Sequence, residues 1–338
     1  MVACCGGGAA LAAPIEPPGA APAVPPVALE APAFTPGHWA VGDGWQLQPQ
    51  WLVAMGHNSN LRQQPDGVES PFLAVFPGLT LQRQQGSERQ ALAWRSEATH
   101  FGDSPVDSTL NTELSTDGLL LLGERSALAW RGAWQVWHDS VTQSDASQPV
   151  APPDRYHALA LGLVARLDPE AGADGLGWRL EAEPTWSRKR YRTRREVTTL
   201  ADADVQDLSA RVLRSIAPER RLGLELRASR LRYPGNYQSL DHRDGYAWAV
   251  LQWEPGEWSG RARLGAQQRS FDRLRPRQRL LNGDGELQWQ ATPDRLLELG
   301  WQRGASDVPG DGADAVVARR LSAAWTERWG AEIGRAHV

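Results

Sequence analysis

The sequence predicts an all-β fold, a transmembrane up-and-down antiparallel β-barrel, on three observations. About fourteen segments of roughly a dozen residues alternate apolar and polar side chains from Trp45 to Trp325, the period at which one face of a strand is greasy and the other wet. No stretch approaches the roughly 18 continuous apolar residues of a membrane helix, so any crossing is made by strands. Sixteen Trp stand against 5 Tyr and 5 Phe, many near segment ends, where amphipathic rings form interfacial girdles. A mean hydropathy of −0.47 fits, because only every other barrel residue meets lipid. A formal net charge of −4 gives no footprint for nucleic acid.

Taken in order, the first element is the N-terminal stretch. Residues 1–13 are small and apolar and end Leu11-Ala12-Ala13, like the close of a signal peptide with its cleavage site, although the basic region that precedes one is missing. They are read as a remnant signal peptide; a lipobox-like Met1-Val2-Ala3-Cys4 and a disordered tail without sorting role are the alternatives. Cys4 and Cys5 are adjacent and form no ordinary structural bridge. Residues 14–38 are an Ala/Pro-rich linker, and residues 39–331 are the incomplete barrel domain. Residues 332–338, Glu332-Ile333-Gly334-Arg335-Ala336-His337-Val338, match the translation of a common sequencing-library adapter. They are expected to be artefact, with the gene truncated and the complete barrel having 16–18 strands, an even number.

The strands are marked out by their connections, which alternate long and short as in an up-and-down barrel with short periplasmic turns and longer outer loops. Short turns are expected at Gln85-Gly86-Ser87, Gly123-Glu124-Arg125, Ala217-Pro218-Glu219, Glu254-Pro255-Gly256 and Thr292-Pro293-Asp294. Loops rich in Asp, Asn, Ser, Pro and Gly are expected at about 57–70, 102–107, 139–155, 193–203, 233–244, 271–279 and 303–314. The connection from Asp168 to Gly175 is long for its short-turn slot. Alternation is cleanest in Arg221-Leu222-Gly223-Leu224-Glu225-Leu226-Arg227-Ala228 and in Leu176-Trp178-Leu180-Ala182 against Arg179-Glu181-Glu183. From Tyr246 to Trp253 and from Val316 to Trp325 the parities mix and the inner face stays unassigned.

By this alternation the pore-lining candidates are Arg95, Glu97, Arg131, Arg179, Glu181, Glu183, Arg221, Glu225, Arg227, Arg261, Arg263, Glu286 and Glu298, with Gln46, Gln48, Gln50, Gln135 and Gln288. Two accounts stay open: Arg and Glu pair across strands and stiffen the wall, or they form an electrostatic lining that passes a hydrated solute. The interfacial aromatic girdle is assigned to Trp45, Trp94, Trp130, Trp178, Trp258, Trp289, Trp301 and Trp325. The run Arg188-Lys189-Arg190-Tyr191-Arg192-Thr193-Arg194-Arg195 is either a solvated loop base or a site gathering an anionic polymer or lipopolysaccharide phosphates.

No phosphate loop, dinucleotide fingerprint, zinc-protease helix or nucleophile elbow occurs. His100, His138 and His157 stand near strand ends without an obvious catalytic partner. No enzyme, metal or cofactor is expected.

Some short motifs fall in a familiar order. Gly56-His57-Asn58-Ser59-Asn60-Leu61-Arg62, then Pro77-Gly78-Leu79, then the strand ends Arg188-Lys189-Arg190-Tyr191, Arg230-Leu231-Arg232-Tyr233 and Gln268-Arg269-Ser270-Phe271, resemble a family of porin-like outer-membrane β-barrels from exopolysaccharide and capsule biosynthesis clusters. His57 departs from the aromatic usual in that family. The resemblance implies an outer-membrane channel of a Gram-negative bacterium that exports exopolysaccharide or capsular polysaccharide. It also implies a periplasmic polysaccharide export protein as partner, with outer-membrane lipid and lipopolysaccharide around the wall. A general solute porin and a structural or adhesive barrel are the rival functions.

Overall fold

The computed structural model describes residues 39–61, 68–123, 125–139, 152–169, 176–217, 219–235, 241–253, 257–271, 276–292, 294–306, 316–329 and 332–337. Its strands are β1 (Trp39–Gly42), β2 (Trp45–Asn58), β3 (Ser70–Gln85), β4 (Glu88–Phe101), β5 (Thr109–Leu121), β6 (Ser126–His138), β7 (Arg155–Leu167) and β8 (Trp178–Tyr191). They continue as β9 (Ala203–Ala217), β10 (Arg220–Arg232), β11 (His242–Trp253), β12 (Trp258–Phe271), β13 (Gln278–Thr292), β14 (Arg295–Ser306), β15 (Val316–Trp329) and β16 (Glu332–His337). All sixteen form one antiparallel sheet in sequence order, each strand paired only with its chain neighbours. The sheet is open, with β1 and β16 as its edges. Among the described residues no helix is long and apolar enough to cross a membrane; α1 (Arg195–Thr198) is a single turn in the β8–β9 loop.

The fourteen expected segments are β2 to β15, each 12 to 16 residues long, more than the ~9–11 residues a tilted strand needs to span a bilayer. Residues 1–13 and 14–38, expected from the sequence to be a remnant signal peptide and a linker, lie outside the described residues. β16 falls on the adapter-like residues, where its backbone continues the ladder on β15. An unpaired strand edge accepts almost any extended segment, because the hydrogen bonds are main-chain.

Turn chemistry fixes the short end. Between β3 and β4 only Gly86 and Ser87 connect the strands, and Gly86 has a φ of +56°, a conformation that costs glycine little. At the long end the strands run further than expected. β11 begins at His242 inside the predicted loop 233–244, and β14 reaches Ser306 inside 303–314. Arg243 and Asp244 pair with Arg230 and Ser229, so the ladder continues while partners remain opposite.

The register settles which side chains share a face. Leu224 pairs with Val212 and Ala249, and Leu264 with Ala249 and Gly283. These apolar residues lie in solvent-open positions, with Leu224 at 65% and Leu264 at 63% exposure. On the other face Glu225 is 2% and Gln267 1% exposed. A sheet that spreads one face and crowds the other is curved with the crowded face inside. That inner face carries the polar residues, the reverse of a water-soluble sandwich.

Trp130 and Trp301 show how the apolar face is filled. Trp130 lies over its cross-strand partner Gly118, and Trp301 over Gly285. A Cβ on either glycine would fall about where the indole sits. Cross-strand pairs of this kind stabilise a sheet locally.

Candidate functional site

Every predicted pore-lining residue falls on the inner face, and the pairing shows what each meets. In the N-terminal half, Gln50, Gly78, Arg95, Glu113, Gln135 and Ala158 form one row across β2 to β7. Gln46 and Gln48 occupy the next rows down, Glu97 pairs with Asn111, and Arg131 pairs with Asp117 and Gly162. Small residues fill much of the rest: Ala127, Ala129, Ala158, Ala160 and Val164 are buried between longer neighbours.

The C-terminal half is different. Arg211 donates to Glu225 at 2.9 Å and to Glu181 at 2.5 Å. Glu225 also accepts from Arg263 at 2.7 Å, which reaches across the intervening β11 and in turn binds Asp284 through Nε at 2.9 Å. Charges are thus linked from β8 to β13. Towards the loops a second cluster forms. Asp244 accepts Nε and Nη2 of Arg269 at 2.8 and 2.7 Å, while Gln267 donates to Asp244 and to the Tyr246 hydroxyl. Asn282 closes it by donating to Gln267 at 2.9 Å. Arg227 donates to Asp207 at 2.8 Å and lies over the Tyr246 ring. Arg261 pairs with Gln252 and Glu286, and Glu298 with Gln288 and Ala324. Glu183 stands opposite Ser209 and Arg221 opposite Ser215.

The inner face is therefore not uniformly polar. Leu213, Trp248 and Val250 form a fully buried apolar cluster on it, where Gly223 separates Leu213 from Val250 and Gly265 stands opposite Trp248. The backbone is close here: a Cβ on Gly223 would lie 1.9 Å from the Val212 carbonyl oxygen. Alternation missed this patch because both parities of β11 are apolar there. It likewise missed Arg211, Asp207, Asp244, Arg269 and Asp284, although each has inner parity in its own strand.

At the short end, Asp168 follows the last residue of β7 and receives Arg179 at 2.9 Å and Arg166 at 2.5 Å. Burial works to raise its pKa, but hydrogen bonds from Arg179 and Arg166 outweigh this and hold the carboxyl down at about 2. At the long end, Arg194 binds the buried Asp154, and this hydrogen bond pushes the guanidinium above its ordinary value. Among the described residues no group of three or more His, Cys, Asp or Glu is placed to hold a metal ion.

The eight girdle tryptophans all lie on the apolar face. Trp45, Trp130, Trp178, Trp258, Trp289 and Trp325 stand towards the short-turn end of their strands, while Trp94 and Trp301 lie near mid-strand. Arg83 and Arg214 lie over Trp45 and Trp178 at that end. The basic run divides: Arg188 and Arg190 are on the apolar face, Lys189 and Tyr191 on the inner one. Arg194 and Arg195 bind loop carboxylates, Asp154 and Asp202.

No family model matches the chain. No curated protein matches it. Among solved structures it is similar to the ferric-catecholate import receptor Fiu from E. coli K12 in its open form. Identity is 10%, the TM-score is 0.39, and the match covers 86% of this chain and 71% of that one.

Proposed function

We propose that this chain is an outer-membrane β-barrel forming the wall of a channel that exports exopolysaccharide or capsular polysaccharide. The observation that carries the barrel is the division of faces: the Gln, Arg and Glu candidates share the inner face, and the exposed Leu and Trp the outer one. Lipid accepts the second and water the first. The polymer assignment rests on the resemblance of the ordered motifs. A lining of Gln46, Gln48, Gln50 and Arg95 offers a sugar chain many weak hydrogen bonds without one deep site, so the polymer slides. A periplasmic export protein would meet the barrel at its short-turn end.

A structural barrel with an occluded interior is favoured by one observation, the crowded ion-pair network from Glu181 to Asp284. Single-channel recording on the reconstituted full chain separates the two. The export reading expects open-channel conductance that added polysaccharide blocks, and loss of surface polysaccharide when the gene is deleted. Absence of conductance supports the structural barrel. Conductance with intact surface polysaccharide and slowed small-solute uptake supports a general porin.

A further inference from the structure

We propose that the inner face carries, at its loop end, an aromatic platform that stacks against the sugar rings of a glycan passing through the barrel. The aromatic residues divide between the two faces of the sheet. The girdle tryptophans lie on the apolar face, whereas every Phe and Tyr within the described strands has inner parity. Phe72, Phe101, Tyr156, Tyr191 and Phe271 stand within three residues of the loop end of their strands. Trp137, on the same face, is directly opposite Tyr156. Lipid cannot cover a ring that faces the lumen, and a ring left in water forfeits the burial that normally stabilises it. Phe72, Phe101, Trp137, Tyr156 and Phe271 are partly exposed, so each has surface to offer.

The rings are held in place by their neighbours. Phe72 and Phe101 are cross-strand partners, with centroids 6.1 Å apart and planes inclined at 55°. Trp137, Tyr156 and Tyr191 form one row across β6 to β8. Tyr191 is buried, and its hydroxyl donates to Asp139 at 2.7 Å. Lys189, itself 3.5 Å from Asp139, stands 4.2 Å from the Tyr156 ring centre and 4.6 Å from that of Tyr191. Tyr156 is thereby fixed, with Trp137 beside it. Next inward from Trp137 comes Gln135, which donates to Glu113 at 2.7 Å and belongs to the row of Gln50 and Arg95. A sugar ring has apolar C–H faces and a rim of hydroxyls. The faces suit the electron-rich side of an aromatic ring, and the hydroxyls suit these amides and carboxylates. A glycan chain needs both kinds of surface side by side, and here they are continuous.

This inference deepens the export reading and rests on the inner face being a lumen. Isothermal titration calorimetry on the full chain folded in detergent micelles measures binding of a β-linked glucose hexasaccharide, with sorbitol as a polyol that lacks rings. The native chain is expected to bind the hexasaccharide and not sorbitol. The double variant Trp137→Leu, Tyr156→Leu keeps apolar bulk but removes both rings, and is expected to bind about 25-fold more weakly, from about fivefold per ring. Trp137→Phe, Tyr156→Phe retains a ring at each position and is expected to stay within about threefold of the native chain. Leu73→Ala, at the same height on the apolar face, is expected to bind as the native chain does. A native chain that ignores the hexasaccharide, as when one of its own loops fills the platform, would overturn the proposal. Leucine variants that bind at native strength, or equal losses in the leucine and phenylalanine variants, would overturn it too. The export reading fails separately: a chain that binds in this ring-dependent way yet shows no conductance keeps the platform and loses the channel, whereas a conducting chain blind to the hexasaccharide loses the platform alone.

Discussion

Strands β2 to β7 and strands β8 to β13 follow the same alternation, yet their inner faces have different chemistry. The first group presents Gln46, Gln48 and Gln50 beside short side chains such as Ala129 and Ala160, and its charged pairs are local, as between Arg89 and Asp117 at 3.2 Å. The second links Glu181, Arg211, Glu225, Arg263 and Asp284 across six strands. The loop-end residues of the apolar face differ as well, with His57, His100, His138 and His157 beside Arg155 in the first group and Arg188, Arg190, Arg230, Arg232 and Arg243 in the second. Period two decides which face a residue takes. The choice among Gln, Ala, Arg and Glu then decides where the wall is loose and where it is cross-linked.

The largest effect should come from breaking the network at its centre. Glu225→Ala leaves Arg211 and Arg263 without their shared partner, and removing one member of a buried charge cluster costs about 3–5 kcal/mol. Urea unfolding in lipid vesicles, followed by Trp fluorescence, measures this; a loss under about 1 kcal/mol would show that the network is not holding the wall.

Next comes the lipid-facing side. Leu224→Arg should cost about 2–4 kcal/mol in vesicles, the range for a cation at mid-bilayer on a barrel strand, because Leu224 is the middle one of the three apolar-face leucines of β10, Leu222, Leu224 and Leu226. An unchanged midpoint in the same assay would place that residue in water.

Acid should weaken the junction of the two groups. The Asp168 carboxyl is held at about 2 in the folded chain against an ordinary value near 4. Its contribution is therefore complete above about pH 4 and is lost as pH falls towards 2. Discounted for partial exposure, it amounts to about 1–2 kcal/mol. Unfolding midpoints of the native chain and Asp168→Asn should differ at pH 6 and converge near pH 2; parallel curves would contradict the assignment. The smallest effect is expected in the first group, where Gln48→Ala should change stability by less than about 0.5 kcal/mol, as the same unfolding assay would show.

Strand number and facing were legible in the sequence because both follow from alternation and turn composition, which are local. The fourteen long strands and the parity of residues such as Arg179, Glu181 and Arg261 come from that source. The partners were not legible. Arg263 meets Asp284 directly opposite but also Glu225 two strands away, and that depends on the curvature and register of three strands together. In β11, the consecutive Tyr246, Ala247, Trp248, Ala249, Val250 and Leu251 carry no period. Only pairing with Arg263 and Gln267 reveals that Tyr246, Trp248 and Val250 face inward.

The central claim is that the apolar face meets lipid and the opposite face water, and site-directed spin labelling tests it most directly. Nitroxides would be placed singly at Leu222, Leu224 and Leu226, and at Arg221 and Ser229, in a chain with Cys4 and Cys5 replaced by Ser and reconstituted into vesicles. The predicted result is that the three leucine positions collide preferentially with oxygen, and the other two with a water-soluble nickel chelate. Leucine-position labels that prefer the chelate, or no difference between the two sets, would contradict it.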